Sequence, residues 1–354
     1  MAEDIQAIRM QIDAIDEQVL ALINQRAQHA QTIGRLKNGT VYRPEREAQV
    51  LRRIKDLNTG PLADETAARL FREIMSACLA LEKPLSVAYL GPQGTFSQAA
   101  AVKQFGHAAS TMPCASIDEV FRAVNAGAAD YGIVPVENST EGAVNRTLDL
   151  LQDTPLKICG EVDLRIHHYL LRKIAGLDDV KVVYSHGQSL AQCHEWLNRH
   201  LPGVPRVQVA SNAEAAQMAA ADESALAIAG DLAAEIYDLQ CLFEHIEDEP
   251  DNTTRFLVLG LHDAGVSGHD KTSLLMSARN LPGAILELLQ PFARHGVSLT
   301  KLESRPARSG LWEYVFFVDV EGHRDDPAVA AALHDLKDKA ALLKLLGSYP
   351  IGVL

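Results

Sequence analysis

Residues 3–84 carry apolar positions at helical spacing throughout. The first of these positions follow one another at intervals of four and three, which is the seam of an amphipathic helix. Asn38-Gly39 is the first stop signal, so the helix is predicted to extend about 50 Å at 1.5 Å per residue. One helix of that length cannot bury its seam within so small a unit, and we expect two copies of the chain to intertwine there. The seam residues are Ile8, Ile12, Ile15, Val19 and Leu22.

Two shorter helices complete this first module. Pro44 is a favourable residue for the first turn of the second helix, and the Gly60-Pro61 pair is a typical C-terminal stop. The third helix carries apolar residues from Leu70 to Leu79 and stops at Lys83-Pro84. The pattern predicts an all-α, three-helix module over residues 1–84.

From Leu85 onwards, short β-type runs alternate with helical ones, which predicts an α/β sheet. The length of residues 85–262, with ligand-type loops in both halves, favours two lobes and a cleft between them, as in periplasmic binding proteins. The predicted strands are Val87–Leu90, Tyr131–Val136, Lys181–Tyr184, Val207–Ala210, Ala225–Ala229 and Phe256–Leu259.

A polar, glycine-containing linker at residues 262–270 precedes a third module, residues 271–354. Its strand and helix patterns have the order βαββαβ, which is typical of a ferredoxin-like unit. The predicted elements are the strands Thr272–Ala278, Ser298–Glu303, Trp312–Val320 and Leu343–Leu346, and the helices Gly283–Arg294 and Ala328–Ala341.

Composition narrows the functional classes. The 354 residues are 47% hydrophobic with a net charge of −13, which excludes a disordered chain and argues against nucleic acid as a partner. We find neither a signal peptide nor an apolar run long enough to span a membrane. Five scattered cysteines are typical of reduced thiols, so we expect a cytoplasmic protein. We expect no metal, because His167 and His168 are adjacent and would point to opposite faces of a strand.

The helical module holds a set of cations. Arg26 and Lys37 are eleven residues apart and return to nearly the same face of the first helix, whereas Arg9 is rotated from that face by roughly 100°. Arg9 is therefore placed to serve the pocket of a second copy. The alternative is that these cations only form solvated helix faces. The residues that carry a family resemblance here are Arg9, Arg26, Lys37, the run Tyr42–Glu47, Cys78 and Glu82.

These residues resemble the helical chorismate mutase family. The resemblance implies that Arg9, Arg26 and Arg46 hold carboxylates of chorismate, that Lys37 faces the ether oxygen, and that Glu47 binds a ring hydroxyl. Such a pericyclic rearrangement needs positioning and charge stabilisation but no nucleophile. Cys78 and Glu82 come from the third helix, and Glu82 stands where a glutamine is common. A carboxyl group donates a hydrogen bond only when protonated, so we expect mutase activity to rise as pH falls.

Four polar stretches lie at strand ends in the α/β module: Gly91–Ser97, Val134–Ser139, Tyr184–Cys193 and Asn252–Phe256. Each alone is typical of a turn or cap, but their order and spacing together resemble prephenate dehydratase. The resemblance implies that the module removes CO2 and the ring hydroxyl from prephenate without a cofactor. It implies that Asn138, Ser185 and Gln192 orient the ring hydroxyl and that Arg255 holds a carboxylate. It also implies that Thr254 occupies the position of the proton donor. Glu137 is a rival for the proton donor.

The third module resembles an ACT domain, through Arg279–Ile285 and Leu302–Pro306. The resemblance implies that phenylalanine binds where two such domains meet and lowers dehydratase activity. We expect removal of residues 271–354 to preserve catalysis and to abolish this inhibition. The alternative is a purely structural dimerisation unit. The implied phenylalanine ligands are Asn280, Leu281, Gly283, Ala284, Ile285, Glu303, Ser304, Arg305 and Pro306.

Three alternatives to a chorismate mutase/prephenate dehydratase are open to comparison. A two-lobed fold is also compatible with a non-enzymatic amino-acid sensor, and arogenate is an alternative substrate to prephenate. Fusion of a mutase to a dehydrogenase is disfavoured because the chain has no G-x-G-x-x-G turn. The sequence therefore predicts a homodimeric enzyme that acts on chorismate and prephenate, responds to phenylalanine and uses neither cofactor nor metal.

Overall fold

The computed structural model describes residues 2–36, 42–278, 281–307 and 314–354. The first module consists of three helices, α1 (Ala2–Leu36), α2 (Pro44–Leu57) and α3 (Asp64–Ala80). The predicted all-α module is thus present. The predicted stop at Asn38-Gly39 lies outside the described residues. No helix among the described residues is long and apolar enough to cross a membrane.

Helix α1 exposes its apolar seam along most of its length. Ile8, Ile15 and Leu22 are each more than half exposed. Near its C-terminus α1 packs on α3, where Gly34 lies so close to Glu82 that a Cβ would come within 2.5 Å of Oε2. Within the described residues, the N-terminal part of the seam therefore remains exposed. A second surface would be needed to bury it.

The second module contains two sheets. The first, lobe 1, has the strand order β2-β1-β3-β11-β5, with β4 paired to β3. Helices α4 (Phe96–Phe105), α5 (Ile117–Asn125) and α6 (Asn145–Asp153) accompany it. The strands are β1 (Ser86–Leu90), β2 (Ser110–Cys114), β3 (Tyr131–Asn138), β4 (Gly142–Ala143), β5 (Lys157–Arg165) and β11 (Thr253–Gly260).

The second sheet, lobe 2, has the order β10-β6-β9-β7-β8. Its strands are β6 (Tyr169–Arg172), β7 (Val182–His186), β8 (Arg206–Val209), β9 (Ala225–Ala229) and β10 (Gln240–Phe243). Its helices are α7 (Gly187–Gln192), α8 (His194–His200), α9 (Asn212–Ala221) and α10 (Asp231–Tyr237).

The chain passes between the lobes twice, through residues 166–168 and residues 244–252. We call these segments the two crossings. They are bonded to each other, because the N–H of Ile166 donates to the Asn252 carbonyl (2.8 Å) and the N–H of Ile246 donates to the His168 carbonyl (2.9 Å). The two-lobed α/β architecture predicted from the sequence is confirmed.

The third module is a four-stranded antiparallel sheet with the order β13-β14-β12-β15 and two helices on one face. This is the predicted βαββαβ unit. Its elements are β12 (Asp270–Ser277), α11 (Ala284–Arg294), β13 (Leu299–Pro306), β14 (Tyr314–Glu321), α12 (Pro327–Lys337) and β15 (Leu342–Pro350).

The other face of this sheet packs directly on lobe 1. Phe317 and Tyr349 share one hydrophobic core with Leu148 and Ile158 of lobe 1. Strand β15 approaches β5 so closely that a Cβ on Gly347 would lie 2.1 Å from the Ile158 carbonyl oxygen. Only glycine fits there without displacing backbone, so the third module and lobe 1 form one packed body.

The helical module also packs against the rest of the chain. Tyr42 belongs to a buried cluster with Tyr89, Phe105 and Tyr131 of lobe 1. On α2, Arg52 donates to the carbonyls of Ser267 (3.1 Å) and His269 (2.9 Å) in the linker. The three modules are thus joined by buried side chains and hydrogen bonds in addition to the covalent linkers.

Candidate functional site: a cleft between two lobes

A cleft of about 660 Å³ lies between lobes 1 and 2. Its walls come from the loop 90–97, the ends of β3 and β11, the first crossing and the N-terminal parts of α7 and α9. The four polar stretches identified in the sequence all contribute to these walls, together with residues of the first crossing and the segment 210–217 around the start of α9. Of the site residues predicted for this module, Asn138, Gln192 and Thr254 line the cleft.

Thr254 and Asn138 are directly opposite each other on paired strands, so their side chains share a face. The Asn138 side-chain oxygen accepts hydrogen bonds from the backbone N–H groups of Thr140 (3.0 Å) and Glu141 (3.2 Å). The amide nitrogen must therefore be the group that faces Thr254, and it donates to Oγ1 at 2.8 Å. This bond occupies an acceptor position of the hydroxyl and leaves the Thr254 proton available to a ligand.

The same donor-to-acceptor direction continues through three more side chains. Asn138 Nδ2 also donates to Asn252 Oδ1 (2.8 Å), and Asn252 Nδ2 donates to Gln192 Oε1 (3.1 Å). Because Gln192 Oε1 is an acceptor, His168 Nε2, 2.8 Å away, must carry the proton. Burial lowers the pKa of His168 and outweighs the hydrogen bond to Gln192, so its ring is neutral near pH 7.

Sequence reasoning missed Asn252 and His168 as parts of this site. Asn252 lies in the polar stretch that leads into β11, and it could have been selected as a polar residue near a strand end. His168 gave no local signal, because its partner Gln192 is 24 residues away. The chain of bonds joins both crossings and both lobes.

Ser185 lies behind the cleft. It is fully buried, and its hydroxyl is 2.9 Å from Asn212 Oδ1 and 2.8 Å from the Ile228 carbonyl oxygen. Asn212 lines the cleft and donates to Ser189 Oγ at 2.9 Å. The predicted contact between Ser185 and a ligand is therefore replaced by an indirect one, in which Ser185 orients Asn212.

Arg255 does not lie in the cleft, where the sequence placed it. Neighbouring residues of a strand point to opposite faces, so Arg255 points away from the cleft that Thr254 faces. Its guanidinium contacts Glu161 (2.8 Å), Asp319 (2.7 Å) and the Tyr349 hydroxyl (3.0 Å). Burial opposes its charge, but these acidic groups outweigh burial and raise the pKa of Arg255. Arg255 thus joins lobe 1 to the third module instead of holding a carboxylate in the cleft.

Glu137 lies opposite Arg255 in the strand pair and shares its face. The Glu137 carboxylate accepts a hydrogen bond from Lys301 Nζ at 2.7 Å, which is another link to the third module. The rival proton donor considered from the sequence therefore faces away from the cleft.

Among the described residues that line the cleft, none is lysine or arginine. The cleft is instead flanked by the N-termini of two ten-residue helices, α4 from lobe 1 and α9 from lobe 2. Thr95 and Ser211 cap these helices by accepting hydrogen bonds from the N–H groups of Gln98 (3.4 Å) and Glu214 (3.0 Å). Unpaired N–H groups and the helix dipole make such ends favourable for anions.

The predicted mutase residues are distributed over all three helices. Arg9 and Arg46 are exposed, Arg26 is half-buried and Cys78 is buried. Arg9 and Arg26 are seventeen residues apart on α1, about 26 Å at 1.5 Å per residue, so they cannot reach one ligand within a single chain. Lys37 lies outside the described residues.

Glu82 and Glu47 differ in their surroundings. Glu82 Oε2 is buried against α1 and has no hydrogen-bond partner among the described residues. Glu47 Oε1 is 3.1 Å from Arg72 Nε, although the two are not aligned as a hydrogen bond. Burial raises the pKa of Glu47, and Arg72 and Tyr42 counteract it. The contact with Arg72 leaves acceptor positions on the Glu47 carboxylate that a ring hydroxyl could use.

The predicted phenylalanine ligands fall on two faces of the third module. Leu281 and Ile285 are exposed, and Gly283 adopts a left-handed φ of 83° at the N-cap of α11. On β13, Ser304 pairs with Phe316, whose side chain lies in the core under the helices. Ala284 begins α11, Pro306 is exposed at the end of β13, and Asn280 lies outside the described residues.

Glu303 and Arg305 occupy the opposite face. Glu303 pairs with Phe317, which lies in the core shared with lobe 1. Arg305 donates to Asp149 of lobe 1 at 2.6 Å. The motif Leu302–Pro306 therefore contributes to two surfaces, because side chains alternate between the two faces of strand β13.

The fold and the cleft define a multidomain protein with a two-lobed α/β body, an α-helical module and a ferredoxin-like module. Three family models match it in that arrangement: chorismate mutase type II over residues 8–83, prephenate dehydratase over residues 87–264, and the ACT domain over residues 272–338.

The chain is 59% identical to the bifunctional chorismate mutase/prephenate dehydratase of Neisseria gonorrhoeae, over 98% of this chain and 97% of that protein. It therefore belongs to the family of bifunctional chorismate mutase/prephenate dehydratases.

Two solved structures resemble the second and third modules. A prephenate dehydratase of Arthrobacter aurescens in complex with L-Phe has a TM-score of 0.69 at 36% identity, and covers 75% of this chain and 90% of its own. A protein described as a novel type of quorum quenching acylase has a TM-score of 0.70 at 31% identity, and covers 76% of this chain and 98% of its own. One fold thus carries more than one described activity, so function has to be argued from the site.

Proposed function

We propose that this chain converts chorismate to prephenate in its helical module and prephenate to phenylpyruvate in the cleft, under inhibition by phenylalanine at the ACT domain. The observation that supports the dehydratase step most directly is the oriented hydrogen-bond chain that leaves the Thr254 proton free inside the cleft. Incubation of the purified chain with chorismate, while phenylpyruvate absorbance is followed, tests the whole proposal.

The dehydratase reaction breaks two bonds of prephenate. The electron pair of the bond to the ring carboxylate moves into the ring as CO2 leaves, and the ring hydroxyl departs from the opposite carbon. A hydrogen bond from Thr254 to the departing oxygen would stabilise the negative charge that develops there. Asn138 fixes the direction of that hydroxyl, and a solvent-derived proton completes the water molecule.

The two carboxylates of prephenate are assigned to the N-termini of α4 and α9. This assignment replaces Arg255, and it is supported by the positions of the capped ends of both helices in the cleft wall. Glu214, in the first turn of α9, also lines the cleft, and its carboxylate accepts the Ala210 N–H at 2.8 Å. Because one helix belongs to each lobe, a dianion between them would draw the lobes together. Arogenate has the same two carboxylates and differs by an ammonium group in place of the side-chain keto oxygen, so a side-by-side rate comparison decides between the substrates.

The mutase step is assigned to a pocket built by two chains. The exposed seam of α1 supports pairing of two copies, and the separation of Arg9 from Arg26 supports the use of Arg9 in the partner's pocket. Arginine forks bind carboxylates in a bidentate manner, and Lys37 would face the ether oxygen. A dimer in solution is the corresponding expectation, and light scattering of the full chain measures it.

Glu82 makes the mutase step sensitive to pH. Its buried Oε2 lacks a partner among the described residues, so it is positioned to donate to chorismate when protonated. We expect the mutase rate to rise as pH falls, because only the protonated carboxyl donates, and Glu82→Gln to flatten the profile because an amide donates at every pH. The pH dependence of chorismate consumption, measured for both proteins, checks this. Unchanged pH dependence in Glu82→Gln would remove Glu82 from the site.

The phenylalanine site is assigned to the exposed face around Leu281, Gly283, Ile285 and Ser304. Ile285→Asp should raise the phenylalanine concentration needed for half inhibition by about tenfold or more, because a charge would face the apolar ring or the partner domain. Uninhibited prephenate turnover should stay within about twofold. Val207→Asp, at an exposed apolar position on β8, serves as the matched control and should keep normal inhibition.

Removal of residues 271–354 is no longer a clean test of regulation. It would expose the core that Phe317 and Tyr349 share with lobe 1, and it would remove Lys271 from Glu161 and Asp319 from Arg255. We therefore expect the truncated chain to lose stability and catalysis together, contrary to the expectation from the sequence. The non-enzymatic sensor is disfavoured by membership of an enzyme family, and turnover of prephenate would exclude it.

A further inference from the structure

The two crossings between the lobes bring three potential metal ligands together. His167 belongs to the first crossing, and His245 and Glu247 belong to the second. One ligand atom from each side chain lies within 4.8 Å of the other two. His167 Nδ1 is 2.7 Å from Glu247 Oε1, and the two imidazole rings are 4.0 Å apart between centroids. Neither the sequence motifs nor the catalytic cleft include this cluster.

The cluster is distinct from the cleft. His168 points into the cleft region and bonds to Gln192, whereas its neighbour His167 points the other way, as alternation in an extended segment requires. The two adjacent histidines therefore have different surroundings. The partners of His167 are instead supplied by residues almost 80 positions further along the chain.

Glu247 is held in place for ligation. Its side chain is only 3% exposed, and its Oε2 accepts the N–H of His168 at 2.9 Å, which leaves Oε1 directed at the histidines. A ligating group fixed by an outer hydrogen bond is typical of metal sites.

His245 is the member of the cluster through which an ion could enter from solvent. It is exposed and adopts a left-handed backbone with φ of 53°, which is uncommon for a residue other than glycine. Zinc takes imidazole nitrogen and carboxylate oxygen at about 2.0–2.2 Å in a tetrahedron, so ligand atoms lie about 3.3 Å apart. The cluster reaches that spacing if the His245 side chain rotates inwards and the His167–Glu247 contact lengthens slightly.

We propose that His167, His245 and Glu247 form a site for a divalent transition-metal ion, with Zn²⁺ as the best match, that ties the two crossings together. Two neutral imidazoles and one carboxylate suit Zn²⁺ in charge and ligand type, and a water molecule completes the tetrahedron. An ion bound there cross-links the two crossings that connect the lobes, and so restrains the relative motion of the lobes.

The consequence for activity rests on the proposed function. Prephenate must enter and phenylpyruvate must leave between the lobes, so a restraint on the crossings slows the dehydratase step. The helical module contains none of the three ligands, so the mutase step is unaffected. One chain therefore provides its own internal control.

The test uses the full chain freed of metal with a chelator, then titrated with Zn²⁺ against a chromophoric competitor. The wild type should bind one more Zn²⁺ per chain than His245→Ala, or bind it at least tenfold more tightly. His334→Ala, which removes an exposed histidine on α12, should match the wild type. Cobalt in place of zinc should give visible absorption typical of tetrahedral coordination in the wild type, and lose it in His245→Ala.

In the activity arm, Zn²⁺ should slow prephenate turnover at least fivefold in the wild type and His334→Ala but not in His245→Ala, with chorismate rearrangement unchanged in all three. Equal Zn²⁺ binding by the wild type and His245→Ala would overturn the proposal, as would equal loss of both activities. A metal-free chain without dehydratase activity would instead contradict the proposed function, while the binding measurements would still test the metal site.

Discussion

Thr254→Val is expected to lower prephenate turnover by about 100-fold or more and to leave chorismate rearrangement at the wild-type rate. The substitution keeps the shape of the side chain and removes the hydroxyl that Asn138 orients towards the cleft at 2.8 Å. Loss of one oriented hydrogen bond to developing charge typically costs two to three orders of magnitude in turnover. Separate assays with prephenate and chorismate measure the two rates on one preparation.

Thr254→Ser is the matched control for this prediction. It retains a hydroxyl that Asn138 Nδ2 can still direct, and most of the activity should remain. If Thr254→Val lost less than about tenfold, Thr254 would be a structural neighbour of the reaction and no longer its hydrogen-bond donor. Equal losses in both assays would indicate damage to the fold.

Arg255→Met is expected to destabilise the chain by about 3–5 kcal/mol, because it leaves the buried carboxylates of Glu161 and Asp319 without their shared cation. Lys271 still contacts Glu161 at 2.7 Å, which keeps the loss towards the lower end. Chemical denaturation of the wild type and of Arg255→Met, followed by circular dichroism, measures this change.

Arg165→Met serves as the comparison for Arg255→Met. Arg165 pairs with Asp251 at 3.2 Å, but both side chains are largely exposed, so the change should be about 0–1 kcal/mol. A similar, small loss in Arg255→Met would show that the interface does not depend on this cation. Tighter binding of prephenate by the wild type than by a stable Arg255→Met would restore Arg255 as a carboxylate ligand.

The three modules could be predicted from hydrophobic spacing because each type of element has its own period. The strand β9 (Ala225–Ala229) was predicted at its observed bounds, since it is a short apolar run buried on both faces. By contrast, β5 was missed, because Lys157–Arg165 mixes charged, polar and small residues with apolar ones. Of these residues, Lys157 and Glu161 contact the third module, which a local pattern does not reveal.

The cleft residues were predicted only in part, for a similar reason. A linear motif groups Thr254 with Arg255, but a strand sends the two side chains to opposite faces. Alternation also explains why Glu303 and Arg305 face lobe 1 while Ser304 faces the helices. The chain from Asn138 through Asn252 and Gln192 to His168 joins four distant segments, so it depends on the fold and has no signature within a short window.

The most direct test of the account follows both intermediates after chorismate is added to the purified full chain. The wild type should consume chorismate and release phenylpyruvate, whereas Thr254→Val should consume chorismate at the same rate and accumulate prephenate. Chorismate left untouched by the wild type, or phenylpyruvate formed at the wild-type rate by Thr254→Val, would contradict two separate sites in one chain.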